Sequence, residues 1–477
     1  MQRARTSAWS RAVVAAAALS LVAVTPVVAG GREPARATAF STGSAGVGDP
    51  YFPLEGNGGY DVSHYDLRLA YDPATHHLRG SNTITAVARK NLSRFDLDLS
   101  GYTVSEVTVR GHAARFRRSG QELVITPARG LARGSRFTTV VSYAGVPKTV
   151  RGSRVGFGEY GWIYTKDGAF VGCEPNAAHT WYPGNDHPSD KASFRFRITV
   201  PTGRKVVANG TYRAHHVHGH SDTYVWDQRT PMATYLATIG IGRWDFHRSR
   251  TPRGVENFTA VDPTLAHQAA RRHIAARTAR ITDYWTRRFG RYPFGSTGAV
   301  VDNLPQVGFS LETQTRPLYG FVPDRDTMSH ELSHEWFGDS VSVRTWRHIW
   351  LNEGFATFSS WLWGEHTGGP STLRQARMLY RALGRKDSFW RTSVADPKRD
   401  HMFSAPVYFR GGMTLAALRH KIGDRDFFTL LRTWVRTHRN GNVTTPQFRA
   451  LAHRISGKPM QHFFRVWLWD KRKPDQL

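Results

Sequence analysis

His330-Glu331-Leu332-Ser333-His334 sets two histidines four positions apart, so one turn of helix brings both imidazoles to the same face. The two rings can then reach one metal ion, and Glu331 projects beside them, placed to take a proton from water at that ion. A hydrolytic zinc site needs a third protein ligand and one position left for water. Glu353 offers a carboxylate after eighteen intervening residues. Its neighbours Ile349, Trp350, Leu351, Phe355 and Phe358 are apolar, and a carboxylate in such company must be paired or bound to metal. The residues therefore predict one zinc ion per chain held by His330, His334 and Glu353, with Glu331 as general base.

Two antiparallel helices have to hold this set. Residues 325 to 337 and 350 to 365 carry helical spacing, and a turn at about 339 to 346 lets the second helix return with Glu353 facing the histidines. Helical spacing first takes over after Asp262. Ile274, Ile281, Trp285 and Phe289 follow at intervals of seven, four and four, with Arg271, Arg272, Arg277, Arg280, Arg287 and Arg288 on the other face. Further helices are predicted at 372 to 384, 411 to 422, 425 to 438 and 445 to 454, with a small β portion around 297 to 315. Upstream the period is two. Segments such as Tyr65 to Leu69, Thr83 to Val87, Glu122 to Ile125, Thr138 to Tyr143, Phe194 to Val200 and Tyr224 to Trp226 are expected to be half-buried strands. At 477 residues the chain is too long for one core. The expected layout is an all-β domain of sheets packed face to face over 50–245, then a mostly α domain over 246–477.

Ahead of these lie Arg3, Arg5 and Arg11, an apolar stretch from Ala12 to Ala23, and small residues at Val27-Val28-Ala29. Residues 1–29 are thus expected to be an export signal, removed to leave a secreted protein. Residues 30–49, rich in Gly, Ser, Thr and Ala, are expected to be a flexible linker. Cys173 is the only cysteine, so no intrachain disulfide forms, and a small buried filler is its expected role. The net charge of +28 becomes +25 without the three arginines of 1–29. Such a balance attracts polyanions. There is no zinc knuckle, RNP motif or long Lys/Arg block, so no specific nucleic-acid partner is expected. The charge points instead to non-specific attraction to an anionic cell wall or membrane surface, and a monomer is expected.

The run His330 to Asp339, His-Glu-Leu-Ser-His-Glu-Trp-Phe-Gly-Asp, followed by Trp350-Leu351-Asn352-Glu353-Gly354-Phe355-Ala356, resembles the aminopeptidase N family of zinc gluzincins, which includes alanyl aminopeptidase and leukotriene hydrolase. Tyr182-Pro183-Gly184-Asn185-Asp186-His187-Pro188 with Lys191-Ala192-Ser193-Phe194, and Phe289 to Phe294, extend the resemblance over roughly 60 to 420. It implies a saddle-like β-sandwich domain followed by a thermolysin-like catalytic domain, and peptides with a free amino terminus as substrates. It also implies further roles. Glu312, in Phe309-Ser310-Leu311-Glu312-Thr313, matches the family's amine-binding glutamate, although Phe309 and Thr313 depart from its flanking Gly and Asn. Glu174, in Gly172-Cys173-Glu174-Pro175, matches a second amine contact. There Gly172 stands where the family has Gln, which predicts a larger or differently shaped first side-chain pocket. Tyr408, in Tyr408-Phe409-Arg410-Gly411, matches the family's oxyanion donor. His348 and His401 lie near these motifs and are expected to be packing or surface residues. Only 69 residues follow Tyr408, too few for the large C-terminal helical domain of long members, so a short helical tail and a more open cleft are expected. Two other functions fit parts of the pattern: another gluzincin activity, such as endopeptidase cleavage or epoxide hydrolysis, and a silent basic binding protein.

Overall fold

The computed structural model describes residues 39–152, 158–265 and 268–477. The expected export signal, 1–29, lies outside the described residues. In the first half, apolar side chains at every second position build strands buried on one face. Lys191–Pro201 sends Ala192, Phe194, Phe196, Ile198 and Val200 inward and leaves Lys191, Arg195 and Arg197 half-exposed. It pairs parallel with Tyr60–Asp72 and antiparallel with Ser221–Ala233 inside an eight-stranded sheet. A five-stranded sheet containing Gly158–Tyr164, Ala169–Gly172 and Ile239–Gly242 meets it where Tyr71 and Trp162 touch, ring centroids 4.9 Å apart. A four-stranded sheet built on Leu92–Asp98 and Glu122–Thr126 also belongs to this β-rich half.

From Asp245 onward the chain forms a mixed sheet in the order Asp245–Arg250, Glu256–Val261, Ser296–Val301, Leu318–Tyr319 and Ser310–Leu311. The helices of this half include α1 (Gln268–Phe289), α2 (Arg325–His334), α3 (Trp350–His366), α4 (Thr372–Ala382), α5 (Gly411–Ile422), α6 (Asp424–His438) and α7 (Thr445–Ser456). The apolar face expected of α1 is the buried one, with Ile274, Ile281, Trp285 and Phe289 all in the core. Helix α2 starts at Asp324, whose carboxylate accepts the Thr327 amide at 2.7 Å, a cap that contributes about 1 kcal/mol. Helix α3 is buried almost all round, as a helix apolar on every face must be, and is the central post of this half.

The flexible linker expected over 30–49 needs correction from Ser41 onward. Ser41–Thr42 pairs parallel with Leu92 and Arg94, and Ser44–Ala45 pairs antiparallel with Asn57–Gly58. Small polar side chains suit these added strands as well as they suit a linker, because the backbone supplies the bonds. Asp49 ends the segment fully buried. Its carboxylate accepts the amides of Tyr51 at 2.7 Å and Trp346 at 2.9 Å, and lies 3.1 Å from His187 Nε2. One carboxylate thereby ties the N-terminal segment to the β-rich half and to the approach to α3. The rings of Phe52 and Tyr235 close on Trp346 at the same place, and one hydrophobic core runs through both halves.

Candidate active site

His330 and His334 lie one turn apart on α2 with ring centroids 4.9 Å apart. The Glu353 carboxylate of α3 reaches both, 3.4 Å from His330 Nε2 and 3.6 Å from His334 Nε2. Bonds of about 2.0–2.1 Å at tetrahedral angles hold ligand atoms about 3.3 Å apart, so the three groups are spaced for one zinc ion. His334 Nδ1 lies 3.1 Å from the Phe337 carbonyl, and a carbonyl can only accept. Nδ1 therefore carries the proton and Nε2 presents its lone pair, as a metal-binding imidazole requires. Gly338 allows this turn. Its φ is +132°, and a Cβ there would come 3.2 Å from His334 Nδ1. Burial pushes both imidazoles down to about 4, which keeps them neutral and able to bind metal.

The carboxylates around this point are crowded and short of positive charge. Glu331, Glu312 and His334 bring donor atoms within 4.8 Å of one another, and so do Glu174, Glu312 and Glu353. Glu174 follows the strand Ala169–Gly172 of the β-rich half, and Glu312 follows the edge strand Ser310–Leu311, so the site is assembled from both halves. Glu174 Oε1 and Glu312 Oε1 are buried without a hydrogen-bond partner among the described residues. After burial, the largest charge effects on Glu174 come from carboxylates, namely Glu312, Glu353, Glu331 and Asp339. Burial raises Glu312 to about 7 and Glu353 to about 8, and lifts Glu331 and Glu174 well above the usual carboxylate range. Each unpaired buried charge costs several kcal/mol, so the arrangement favours ligands that bring positive charge. A dication suits the histidine end and an ammonium group suits the Glu174–Glu312 end.

Tyr408 closes the site from a π-helical turn, Pro406–Arg410, that leads into α5. Its ring packs on His330 with centroids 6.1 Å apart, and its buried hydroxyl lies near Glu353 and pulls that carboxyl down against the effect of burial. The turn is anchored by Arg410, whose buried guanidinium donates to the carbonyls of Trp390, Thr392, Val466 and Asp470. All seven residues singled out from the sequence thus meet at one place. His348 and His401 do not join them. His348 Nδ1 lies 3.0 Å from Thr445 Oγ1, and His401 is exposed. Cys173 is buried with its sulfur accepting from Trp181 Nε1 at 3.3 Å, and burial pushes its thiol up, as a filler requires.

A model of the peptidase family M1 domain matches residues 324–467, and one of the peptidase M1 N-terminal domain matches residues 62–236. The solved M1 zinc metallopeptidase from Deinococcus radiodurans superposes with a TM-score of 0.82 at 30% identity, covering 90% of this chain and 98% of that one. The chain belongs to peptidase family M1. A mutant of the Deinococcus enzyme solved with a Tyr-Ser-Ala substrate is similar at TM-score 0.81 and 29% identity, over 91% of this chain and 99% of that one. Among curated relatives, aminopeptidase M1 of Arabidopsis thaliana is 25% identical over 65% of this chain and 37% of its own length. Glutamyl aminopeptidase of Bos taurus is 26% identical over 67% of this chain and 36% of its own. The chain therefore spans well under half the length of these two relatives.

Three groups of this M1 site were missed by sequence reasoning. Tyr235 is buried beside Glu312 and Glu174, and its hydroxyl lies 3.5 Å from Asn352 Nδ2. Tyr319 is buried near Glu331 and Glu335 with a hydroxyl lacking a partner among the described residues. Asn352 directly precedes Glu353 and keeps an unpartnered Oδ1. A buried aromatic residue in a turn or strand gives no local sign of this duty, whereas Asn352 sits inside the quoted motif and was within reach. The wall at Gly172 also differs from a simple enlargement. A Cβ there would meet Leu311 at 3.1 Å and Phe309 at 3.7 Å, so the departures at Gly172 and Phe309 fit each other.

Proposed function

We propose that this chain is a zinc aminopeptidase that removes the N-terminal residue from peptides. The observation that carries this is the pair of unpartnered, buried carboxylate oxygens of Glu174 and Glu312 beside the His330–His334–Glu353 set. An acceptor pocket of that charge suits the α-ammonium of a peptide. In this mechanism His330, His334 and Glu353 hold the metal, while Glu174 and Glu312 hold the substrate amino group and so fix which peptide bond is presented. Zinc, when bound, acidifies a water molecule and polarises the scissile carbonyl. Glu331 accepts the water proton on its carboxylate and delivers it to the departing amide nitrogen. The Tyr408 hydroxyl donates to the carbonyl oxygen as charge builds there.

N-acetylation decides between this function and an endopeptidase. Blocking the amino terminus of a peptide that is otherwise cleaved is expected to abolish turnover, and equal cleavage of blocked and free peptides would sink the aminopeptidase assignment. A panel of aminoacyl chromogenic substrates, run with and without a chelator, identifies the preferred residue and tests the dependence on metal. Export of the protein is part of the same proposal and rests on residues 1–29. Recovery from the medium with a new N-terminus near Gly30 is the expected result, and a cell-retained chain beginning at Met1 is the contrary one.

A further inference from the structure

The strand Thr211–His218 forms one edge of the eight-stranded sheet and turns through Gly219 and His220 into Ser221–Ala233. Its tip reads His215-His216-Val217-His218-Gly219-His220. Strand alternation sends His216 and His218 to one face. Both are exposed, and their rings lie 6.2 Å apart and 29° from parallel. The residues paired with them across the hairpin are Thr223 and Ser221, so neither imidazole faces a charged cross-strand neighbour. His215, on the other face, is already engaged: Nε2 lies 3.1 Å from Asp222, and the ring stacks on Tyr224 at 4.5 Å.

We propose that His216 and His218 are a surface chelate for a borderline divalent cation of the Cu²⁺, Ni²⁺ or Zn²⁺ class, separate from the His330–His334–Glu353 set. Two imidazoles sharing an ion through bonds of about 2.0–2.1 Å hold their centroids about 5–6.5 Å apart as the angle at the metal opens from tetrahedral to linear. The separation in the hairpin falls inside that window, so side-chain rotation alone turns both nitrogens toward one ion. Imidazole suits these metals, and the Irving–Williams order places Cu²⁺ first. The paired backbone fixes the two Cα positions, so the second ring binds at a high effective concentration. With two protein ligands, the other coordination positions face solvent and the ion exchanges freely.

The test is a Cu²⁺ titration of the zinc-loaded protein, followed by calorimetry and electron paramagnetic resonance, with Ni²⁺ as a second probe. The wild-type chain is expected to take up one Cu²⁺ with a two-nitrogen spectral signature. His216→Ala and His218→Ala should each weaken that uptake about a hundredfold. Zinc-dependent turnover and the thermal midpoint should not change, because the hairpin contributes nothing to the active site. His220→Ala, one residue beyond the turn glycine, should bind as the wild type does. Wild-type uptake by either single variant, or an equal loss in His220→Ala, would overturn the assignment.

Discussion

Gly354 of α3 and Gly411 of α5 meet backbone to backbone: a Cβ on Gly411 would stand 2.7 Å from the Gly354 Cα, and one on Gly354 would stand 2.9 Å from the Gly411 Cα. Gly354 follows Glu353 and Gly411 ends the Tyr408 turn, so this contact sets the distance between the carboxylate and the hydroxyl. Gly411→Ala is expected to push the helices apart and destabilise the fold by about 1–3 kcal/mol. A displacement near 1 Å should cost turnover about a hundredfold. Zinc content and KM should change little, and measuring kcat, KM and bound zinc together separates this from a loss of metal.

Glu331→Gln should keep its zinc and lose turnover by about a hundredfold to ten-thousandfold, the usual contribution of a positioned base. Activity within tenfold of wild type would show that the base lies elsewhere.

Glu312→Gln removes a charge without removing bulk. If Glu312 holds the substrate ammonium, a charge-assisted bond of about 1.5–3 kcal/mol is lost, and kcat/KM should fall between about tenfold and two-hundredfold. The same variant should discriminate less against N-acetylated peptides. A fall in rate with undiminished discrimination would leave Glu312 as a structural carboxylate.

Asp190 offers a pH test away from the metal. It is buried, accepts the Val62 amide at 3.2 Å, and is pushed up to about 8 by burial and then by Asp61. Its folded value stands above the unfolded one, so its contribution to stability is fully present below about pH 4 and is lost as pH rises toward 8. The slope approaches about 1.4 kcal/mol per pH unit across that window. Asp190→Asn should flatten it, and thermal midpoints at pH 5, 6, 7 and 8 for both proteins give the comparison. Parallel curves would mean that Asp190 stays ionised.

Much of this site was legible in the sequence because its chemistry is written locally. The spacing of His330 and His334 on one helix, and the apolar company of Glu353, needed no knowledge of tertiary contacts. Helix positions followed from the same periodicity, and α5 fell where it was expected, Gly411–Ile422. What stayed hidden depends on distant partners. Ser41–Thr42 has a linker's composition and becomes a strand only because Leu92–Asp98 offers an edge. Asp49 finds His187 after 138 residues and Trp346 after 297, distances that no local pattern spans. Tyr235, in the short turn Thr234–Leu236, and Tyr319, in a strand, look like ordinary core aromatics until the fold sets them against carboxylates. The mutual fit of Gly172 and Phe309, likewise, joins two sheets and is written in neither segment.

The carboxylate of Asp49 has a consequence for motion. It fastens the approach to α3 to His187 of the β-rich half inside one shared core, just where a hinge between the halves would have to bend. Opening and closing by rocking one half on the other would tear out a buried, fully bonded carboxylate. The relative placement of the two halves, and with it the spacing of Glu174 and Glu312 against the histidines, is therefore expected to be set when the chain folds. Because one hydrophobic core runs through both halves, heating should likewise melt them together, and two separate calorimetric transitions would show that they are independent.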